Sequence, residues 1–319
     1  MMAATAVTAA EQSKPSQTSP TLAGLVTIAP YADVSAKVTS FGMLIGNPVV
    51  PALLLASLQQ SAVVTYGRFR SDMPVYLVSY MVGQGKNDEA VVYPSVDRVA
   101  RMALANPGSE RIAKDALHLM PTDRHPHDRY AVFAKDNIFT SFASSEALAR
   151  QALVDAQPAA KDSFPLVRVA LQRQGIRAVC QAANKSGATN VSDIVEGFAR
   201  LDLVMEMDTR GLSLSFTGVR NDGVADAACK ARIERELQGL FGMIGGGNEK
   251  LAPSVTVSTK PGGIVTGEVL LAEDQLKGLG KDFNSFVAKQ MSGALSGEKE
   301  NKDKSNKNKN GAKGKVQKK

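Results

Sequence analysis

The chain has 319 residues, of which 44% are hydrophobic, 22% charged and 5% aromatic. This composition is that of a globular protein with enough chain for two modest cores, and it excludes a collagen, a disulfide-stapled miniprotein and a wholly disordered chain. The net charge is +7, but residues 297–319 alone carry nine lysines against three acidic residues, a net of +6. The rest of the chain is nearly neutral, so we expect no sequence-specific binding of nucleic acid.

Both ends of the chain are low in complexity. Residues 296–319 are rich in Lys and Asn and poor in apolar side chains. We therefore expect a disordered tail, and we favour a solubilising end without a specific partner. Weak electrostatic contact with an anionic polymer, lipid headgroups or an acidic glycan is the alternative.

Residues 1–20 begin with small apolar side chains and continue as a polar linker. The triplets Ala4–Ala6 and Thr8–Ala10 are typical of the cleavage end of a signal peptide, although a basic start and a long apolar run are missing. Our hypothesis is a signal remnant or disordered segment on an exported bacterial protein, periplasmic or extracellular. A cytoplasmic protein with a disordered N-terminus is the alternative.

The longest uncharged stretch lies between Lys37 and Arg68. Its segment Phe41–Leu58 has the length of a membrane span, but Asn47, Pro48 and Pro51 interrupt it. We therefore predict a buried helix that starts near the prolines and no transmembrane span.

The rest of the body repeats one pattern, in which two alternating strands are followed by a segment of helical spacing. Four such units occur in the sequence. They are Val75–Val82 and Ala90–Tyr93 with a helix over Ser95–Leu104; Tyr130–Ala134 and Ile138–Phe142 with a helix capped by Ser144 or Ser145; Leu201–Met207 and Leu212–Phe216 with a helix over Ala225–Phe241; and Val255–Val257 and Ile264–Leu271 with a helix carrying Leu276, Leu279, Phe283, Phe286 and Val287.

This recurrence predicts an α+β fold with antiparallel sheets and helices on one face of them, and it argues against a parallel doubly wound sheet. Polar residues around Gln157–Asp162 interrupt the pattern. We place there the boundary between two similar lobes, residues 21–158 and 159–295. Phe164–Asn184 is predicted to be a strand that leads into a helix.

A weak resemblance is carried by turn and packing residues covering about a third of the chain. The motifs are Val92-Tyr93-Pro94-Ser95, Asn106-Pro107-Gly108, Tyr130-Ala131-Val132-Phe133 and Ala143-Ser144-Ser145. In these the chain resembles uncharacterised exported α+β proteins of bacteria. The resemblance implies a fold and a compartment, and no catalytic residue or characterised family comes with it.

All three histidines fall within ten residues: His118, His125 and His127. In an extended segment His125 and His127 would lie on one side, and Asp128 or Asp123 could add an oxygen ligand. The sequence therefore offers a candidate metal site at His118, His125, His127 and Asp128. A solvated polar loop is the alternative interpretation, because Asp123-Arg124 and Asp128-Arg129 are adjacent opposite charges.

No other motif points to a reaction or a cofactor. Cys180 and Cys229 either pair, if the protein is exported, or are two small buried side chains, which we favour. We therefore expect a non-enzymatic structural or interaction module without a cofactor, whose partner is another protein or an envelope component. The alternatives are a metal-dependent hydrolase that uses the histidine cluster and a small-molecule binding protein with its pocket between the lobes.

Overall fold

The computed structural model describes residues 20–82, 86–106, 108–122, 126–135, 138–157, 164–186, 192, 194–208, 210–242, 252–278 and 280–281. The elements in chain order are β1 (Thr21–Ile28), α1 (Tyr31–Leu44), α2 (Val49–Tyr66), β2 (Val75–Val82), β3 (Lys86–Tyr93), α3 (Val99–Ala105), β4 (Glu110–Ala113), β5 (Ala116–Leu119), β6 (Arg129–Phe133), β7 (Thr140–Ala143), α4 (Glu146–Ala156), β8 (Val167–Gln172), α5 (Arg173–Ser186), β9 (Phe198–Asp208), β10 (Gly211–Arg220), α6 (Ala227–Gly242), β11 (Ser254–Lys260) and β12 (Ile264–Ala272). Residues 273–278 after β12 are also helical.

The named strands form one twelve-stranded sheet in the order β11-β12-β10-β9-β8-β1-β2-β3-β7-β6-β5-β4. Every neighbouring pair in it is antiparallel. The predicted α+β class with antiparallel pairing is therefore confirmed. The register is fixed by alternation, because each hairpin has one face that can be buried and a slip of one residue would turn that face to solvent.

The strands of the two predicted halves belong to one sheet, and β1 joins them. Val26 in β1 lies opposite Leu77 in β2 on one side and opposite Val169 in β8 on the other. The predicted boundary near 157–162 falls between α4 and β8, and residues 158–163 lie outside the described ranges. Two similar lobes therefore stay a prediction, whereas the shared sheet is observed.

Helices cover the sheet on both of its faces, so the prediction of helices on one face is wrong. The reason is that strands such as β2 carry apolar side chains on both sides, Val78 on one and Val75 on the other. On the first face, α4 packs Leu148, Ala149 and Ala152 against buried side chains of β2 and β3 such as Val78 and Val92. On the second face, α5 and α6 cover one half of the sheet and α3 with the end of α2 covers the other. The side chains that define this second face are Ile176, Cys180, Ile233 and Leu237 over Phe198, Leu201, Phe216 and Val265, and Met102 over Leu117, Ala131, Phe133 and Phe142.

Most of the predicted local structure is present, with differences that have physical causes. The helix expected over Ser95–Leu104 begins only at Val99, because Ser95 forms a bridge with Phe69 and its hydroxyl accepts a hydrogen bond from the Asp97 amide. Ser145 caps α4 through the Leu148 amide, as predicted. Of the last predicted helix, residues 273–278 are helical and Leu276 is buried, whereas Leu279, Phe283, Phe286 and Val287 lie outside the described residues. Both cysteines are free thiols; Cys180 is buried and Cys229 is half-buried.

Candidate functional site

The α1–α2 helix pair departs most from the sequence prediction. Pro48 precedes the first turn of α2, where its missing amide costs no hydrogen bond, so the helix begins where the prolines predicted. The burial predicted for it is wrong. Its large apolar side chains face solvent, and the helix contains no fully buried residue among those whose side chains are described.

The exposed side chains form what we call the α1–α2 apolar surface, defined by Met43, Val49, Leu53, Leu58 and Val64. Leu53 is 65% exposed, which is unusual for a leucine on an uncharged helix. Val49, Leu53, Ala56, Gln60 and Val64 follow one another at helical spacing and so lie along one stripe of α2. The opposite stripe, with Leu55, Gln59, Ala62 and Tyr66, is half-buried.

Close packing holds the two helices together. Gly42 in α1 is buried, and a Cβ on it would lie 2.8 Å from the Cα atom of Pro48. The turn between the helices is closed by the Asn47 amide, which donates to the carbonyl oxygen of Gly42 at 2.9 Å. Gly46 adopts a positive φ of 69°, which a glycine accepts without strain.

The pair is anchored to the sheet at both of its ends. Tyr66 contacts the rings of Phe142 and Tyr93, with centroids 5.2 and 5.3 Å apart, and its burial raises the pKa of its phenol. Lys37 in α1 forms an ion pair with Glu206 in β9. These contacts therefore fix the helix pair that carries the exposed stripe to the sheet.

The last described residues of the chain lie beside this surface. Gly280 packs directly against the α1–α2 turn, since a side chain on it would meet the carbonyl oxygen of Ile45. Lys281 is the last described residue. The lysine-rich residues 297–319 follow Lys281 in the sequence.

The neighbourhood of this surface has little charge. Residues 38–67 contain no Asp, Glu, Lys or Arg. At the end of α2, Arg68 and Arg101 share the single carboxylate of Asp97, at 3.9 and 3.3 Å. Within the described part of the chain, no helix combines the length and the apolar character needed to cross a membrane.

The histidine cluster is brought together only in part. His118 in β5 lies 3.1 Å from the carboxylate of Asp128 through Nε2 and stacks on the ring of Tyr130, with centroids 4.8 Å apart. His127 is exposed, and His125 lies outside the described residues. Among the residues that the structure describes, no three Asp, Glu, His or Cys side chains converge as a metal site would require.

A cleft of about 280 Å³ lies beside α5, within the C-terminal half of the chain. Its walls include Arg173, Arg177, Cys180 and Glu196. This cleft is not the pocket between the halves that a small-molecule binding protein was predicted to have. That region holds the continuous pairing of β2, β1 and β8.

The lack of charge in residues 38–67 indicated an apolar element at this site, but the sequence carried no signal that told whether anything covers it. A helix that is apolar all round is normally buried in a core or a membrane. Within the described residues, no core covers the exposed stripe of α2.

No protein-family model and no curated protein matches the chain. Solved structures of TP0453 are among those to which the chain shows a distant similarity. The structure of crystal form III of TP0453 superposes with a TM-score of 0.44 at 7% identity, covering 81% of this chain and 94% of that one. Crystal form I of TP0453 gives a TM-score of 0.40 at 9% identity, covering 83% and 98%. Similarity at this level carries no argument about function, and the chain is assigned to no characterised family, as the sequence resemblance implied.

Proposed function

We propose that the protein is a non-enzymatic interaction module that docks on its partner through the α1–α2 apolar surface. The observation that carries the proposal is the exposure of Met43, Val49, Leu53, Leu58 and Val64, which all lie in the uncharged segment 38–67 of the helix pair. Large contiguous apolar patches on a protein surface are typical of interaction sites, since burying them in a complex is favourable by about 25 cal/mol per Å².

The anchoring of the pair supports a docking role. A loosely attached apolar helix would have to be ordered on binding, which costs conformational entropy. Here Tyr66 and Lys37 fix the pair to the sheet before any partner arrives. The stripe is presented in advance, so less of the binding free energy is lost in ordering it.

Site-specific photo-cross-linking tests this proposal. A photoreactive phenylalanine analogue replaces Leu53 or Val64 in the full chain, expressed in the cells that produce it. The control position is Val154 on α4, which is 64% exposed against 65% for Leu53. We expect adducts with the same partner from positions 53 and 64 and none from 154. Equal yields at all three positions, or no adduct at 53 and 64, would refute the proposal.

Export is part of the same proposal, and it rests on the signal-like triplets Ala4–Ala6 and Thr8–Ala10. The docking partner is then another protein of the cell envelope or an envelope component. Fractionation of the producing cells measures the compartment: recovery outside the cytoplasm is expected, and full recovery with cytoplasmic markers contradicts this part.

Metal-dependent hydrolysis is the second candidate, and the contact between His118 and Asp128 favours it. A carboxylate on one ring nitrogen orients an imidazole for a metal on the other. A site made by His118, His125, His127 and Asp128 predicts about one zinc ion bound per chain in calorimetric titration. Binding that survives His118→Ala, or no binding at all, would remove this candidate.

A further inference from the structure

We propose that the partner of the α1–α2 apolar surface is the surface of a bilayer containing anionic phospholipid. In this arrangement α2 lies in the plane of the interface with its exposed stripe among the acyl chains, and the lysine-rich tail contacts the headgroups. The inference rests on the proposed docking function and names its partner.

The shape and composition of the stripe favour lipid over protein. From Val49 to Val64 it extends about 22 Å at the rise of an α-helix, enough to lie along an interface. Protein interfaces are enriched in aromatic residues and Arg, which supply most of their hot spots. Residues 49–65 contain no aromatic residue and no Arg. Aliphatic side chains without directional partners are well matched to acyl chains.

The position of the helix also favours lying on a membrane rather than crossing it. Pro48 and Pro51 interrupt the apolar run at its start, and the opposite stripe of α2 is committed to the sheet through Tyr66. The stripe that carries Val49, Leu53 and Val64 is exposed and free to enter a membrane, and Leu58 is exposed on another side of the helix. That is the arrangement of an interfacial helix, whose apolar face is buried to a depth of about 5–10 Å.

The charge of the chain selects an anionic surface. Residues 297–319 carry nine lysines and three acidic residues, and they follow Lys281, the last described residue, whose neighbour Gly280 packs against the α1–α2 turn. Arg68 and Arg101, which share Asp97, add positive charge at the far end of α2. Lysines without Arg attract a diffuse negative potential rather than a single phosphate in a fixed geometry. An apolar stripe plus a cationic segment gives the two signals that stable peripheral binding needs.

Because the sequence contains no Trp, the fluorescence of a single introduced Trp reports only on its own position. Full-length Leu53→Trp and the control Val154→Trp are mixed with vesicles of phosphatidylcholine alone or with about 30% phosphatidylglycerol. We expect the emission of the Trp at position 53 to shift to shorter wavelength with the anionic vesicles, and the emission at 154 to stay unchanged. A chain truncated after residue 296 should lose the preference for phosphatidylglycerol.

A second pair of variants measures the contribution of the stripe. Leu53→Asp combined with Val64→Asp should lower the partition coefficient for anionic vesicles in flotation by about 100-fold, about tenfold for each buried side chain. Val154→Asp is the matched control and should change the coefficient less than about twofold. Circular dichroism of each variant checks that it is folded.

The remaining outcomes distinguish three occupants of the surface: lipid, a second copy of the chain and another protein. Vesicle binding that is equal for both lipid compositions, or equal shifts at 53 and 154, overturns the inference. Light scattering that finds a dimer abolished by the double Asp variant, without vesicle binding, identifies a second copy as the occupant. Adducts with a protein from positions 53 and 64, again without vesicle binding, identify a protein partner. Both of these results overturn the lipid inference and keep the docking function, whereas failure of the cross-linking test overturns both.

Discussion

Replacing Tyr66 by alanine removes the side chain that holds the C-terminal end of α2 against the sheet. The ring has two aromatic neighbours, Phe142 and Tyr93, with centroids 5.2 and 5.3 Å away. Such pairs contribute about 0.5–1.5 kcal/mol each beyond the burial of their area. Half-burial of the side chain adds about 1 kcal/mol. The expected loss in the free energy of unfolding is therefore about 3 kcal/mol, or a decrease in Tm of about 5–10 °C.

Urea unfolding followed by far-ultraviolet circular dichroism measures this loss as a lower midpoint at an unchanged m-value. Tyr66→Phe is the control, because it keeps the ring and removes a hydroxyl that has no hydrogen-bond partner among the described residues. Its free energy of unfolding should stay within about 0.5 kcal/mol of the parent. If Tyr66→Ala is equally mild, α2 is not anchored by this ring, and the argument that the stripe is presented in advance is wrong.

Four further changes test the packing, a buried hydrogen bond and an ion pair. Gly42→Leu should destabilise the protein by about 1–3 kcal/mol and increase hydrogen exchange in α1 and α2, because its Cβ would lie 2.8 Å from the start of α2. Gly239→Ala in α6, where a Cβ meets nothing within 4 Å, should instead stabilise the protein by up to about 1 kcal/mol. Tyr80→Phe should cost about 1–3 kcal/mol in urea unfolding, since the buried phenol donates a hydrogen bond to a carboxylate at 2.7 Å; a neutral result would show that water replaces the bond. The ion pair with Arg220 lowers the pKa of Asp222 to about 2. Because the pKa of Asp222 is lower in the folded state than its usual value of 3.8, the ionised carboxylate stabilises the fold above pH 3.8. This stabilisation is lost as the pH falls towards 2. Asp222→Asn should therefore remove part of the decrease in the urea midpoint between pH 4 and pH 2, and an unchanged decrease would contradict this.

The hairpins could be predicted because the alternation of apolar and polar residues along each strand shows directly which side chains are buried. In β9, Leu201 and Leu203 face the core under α5 and α6, as the sequence pattern indicated. In β1 the alternation is interrupted at Gly24, where the register with β2 shifts, so the strand that joins the two halves gave no signal of period two. The four-residue strands β4 and β5 are too short for a periodic pattern to stand out.

The candidate site was harder to predict for a different reason. The sequence placed a helix after Pro48 correctly, because proline restricts only local geometry. Whether Leu53 is covered depends on how much of the sheet is left for α2 to cover, and that is a tertiary property. Within the described residues, α2 contacts the sheet only through its half-buried stripe, near Ala62 and Tyr66. A rule that apolar helices are buried therefore predicted the wrong environment for its other face.

Carbene footprinting of the full chain tests the exposure of the α1–α2 apolar surface most directly. In the isolated protein Leu53 should be labelled as strongly as Val154, whereas Leu117, which is fully buried, should remain unlabelled. In the producing cells Leu53 should become protected while Val154 keeps its labelling. If Leu53 of the isolated protein is as protected as Leu117, the surface is already covered within the chain and the docking function is contradicted.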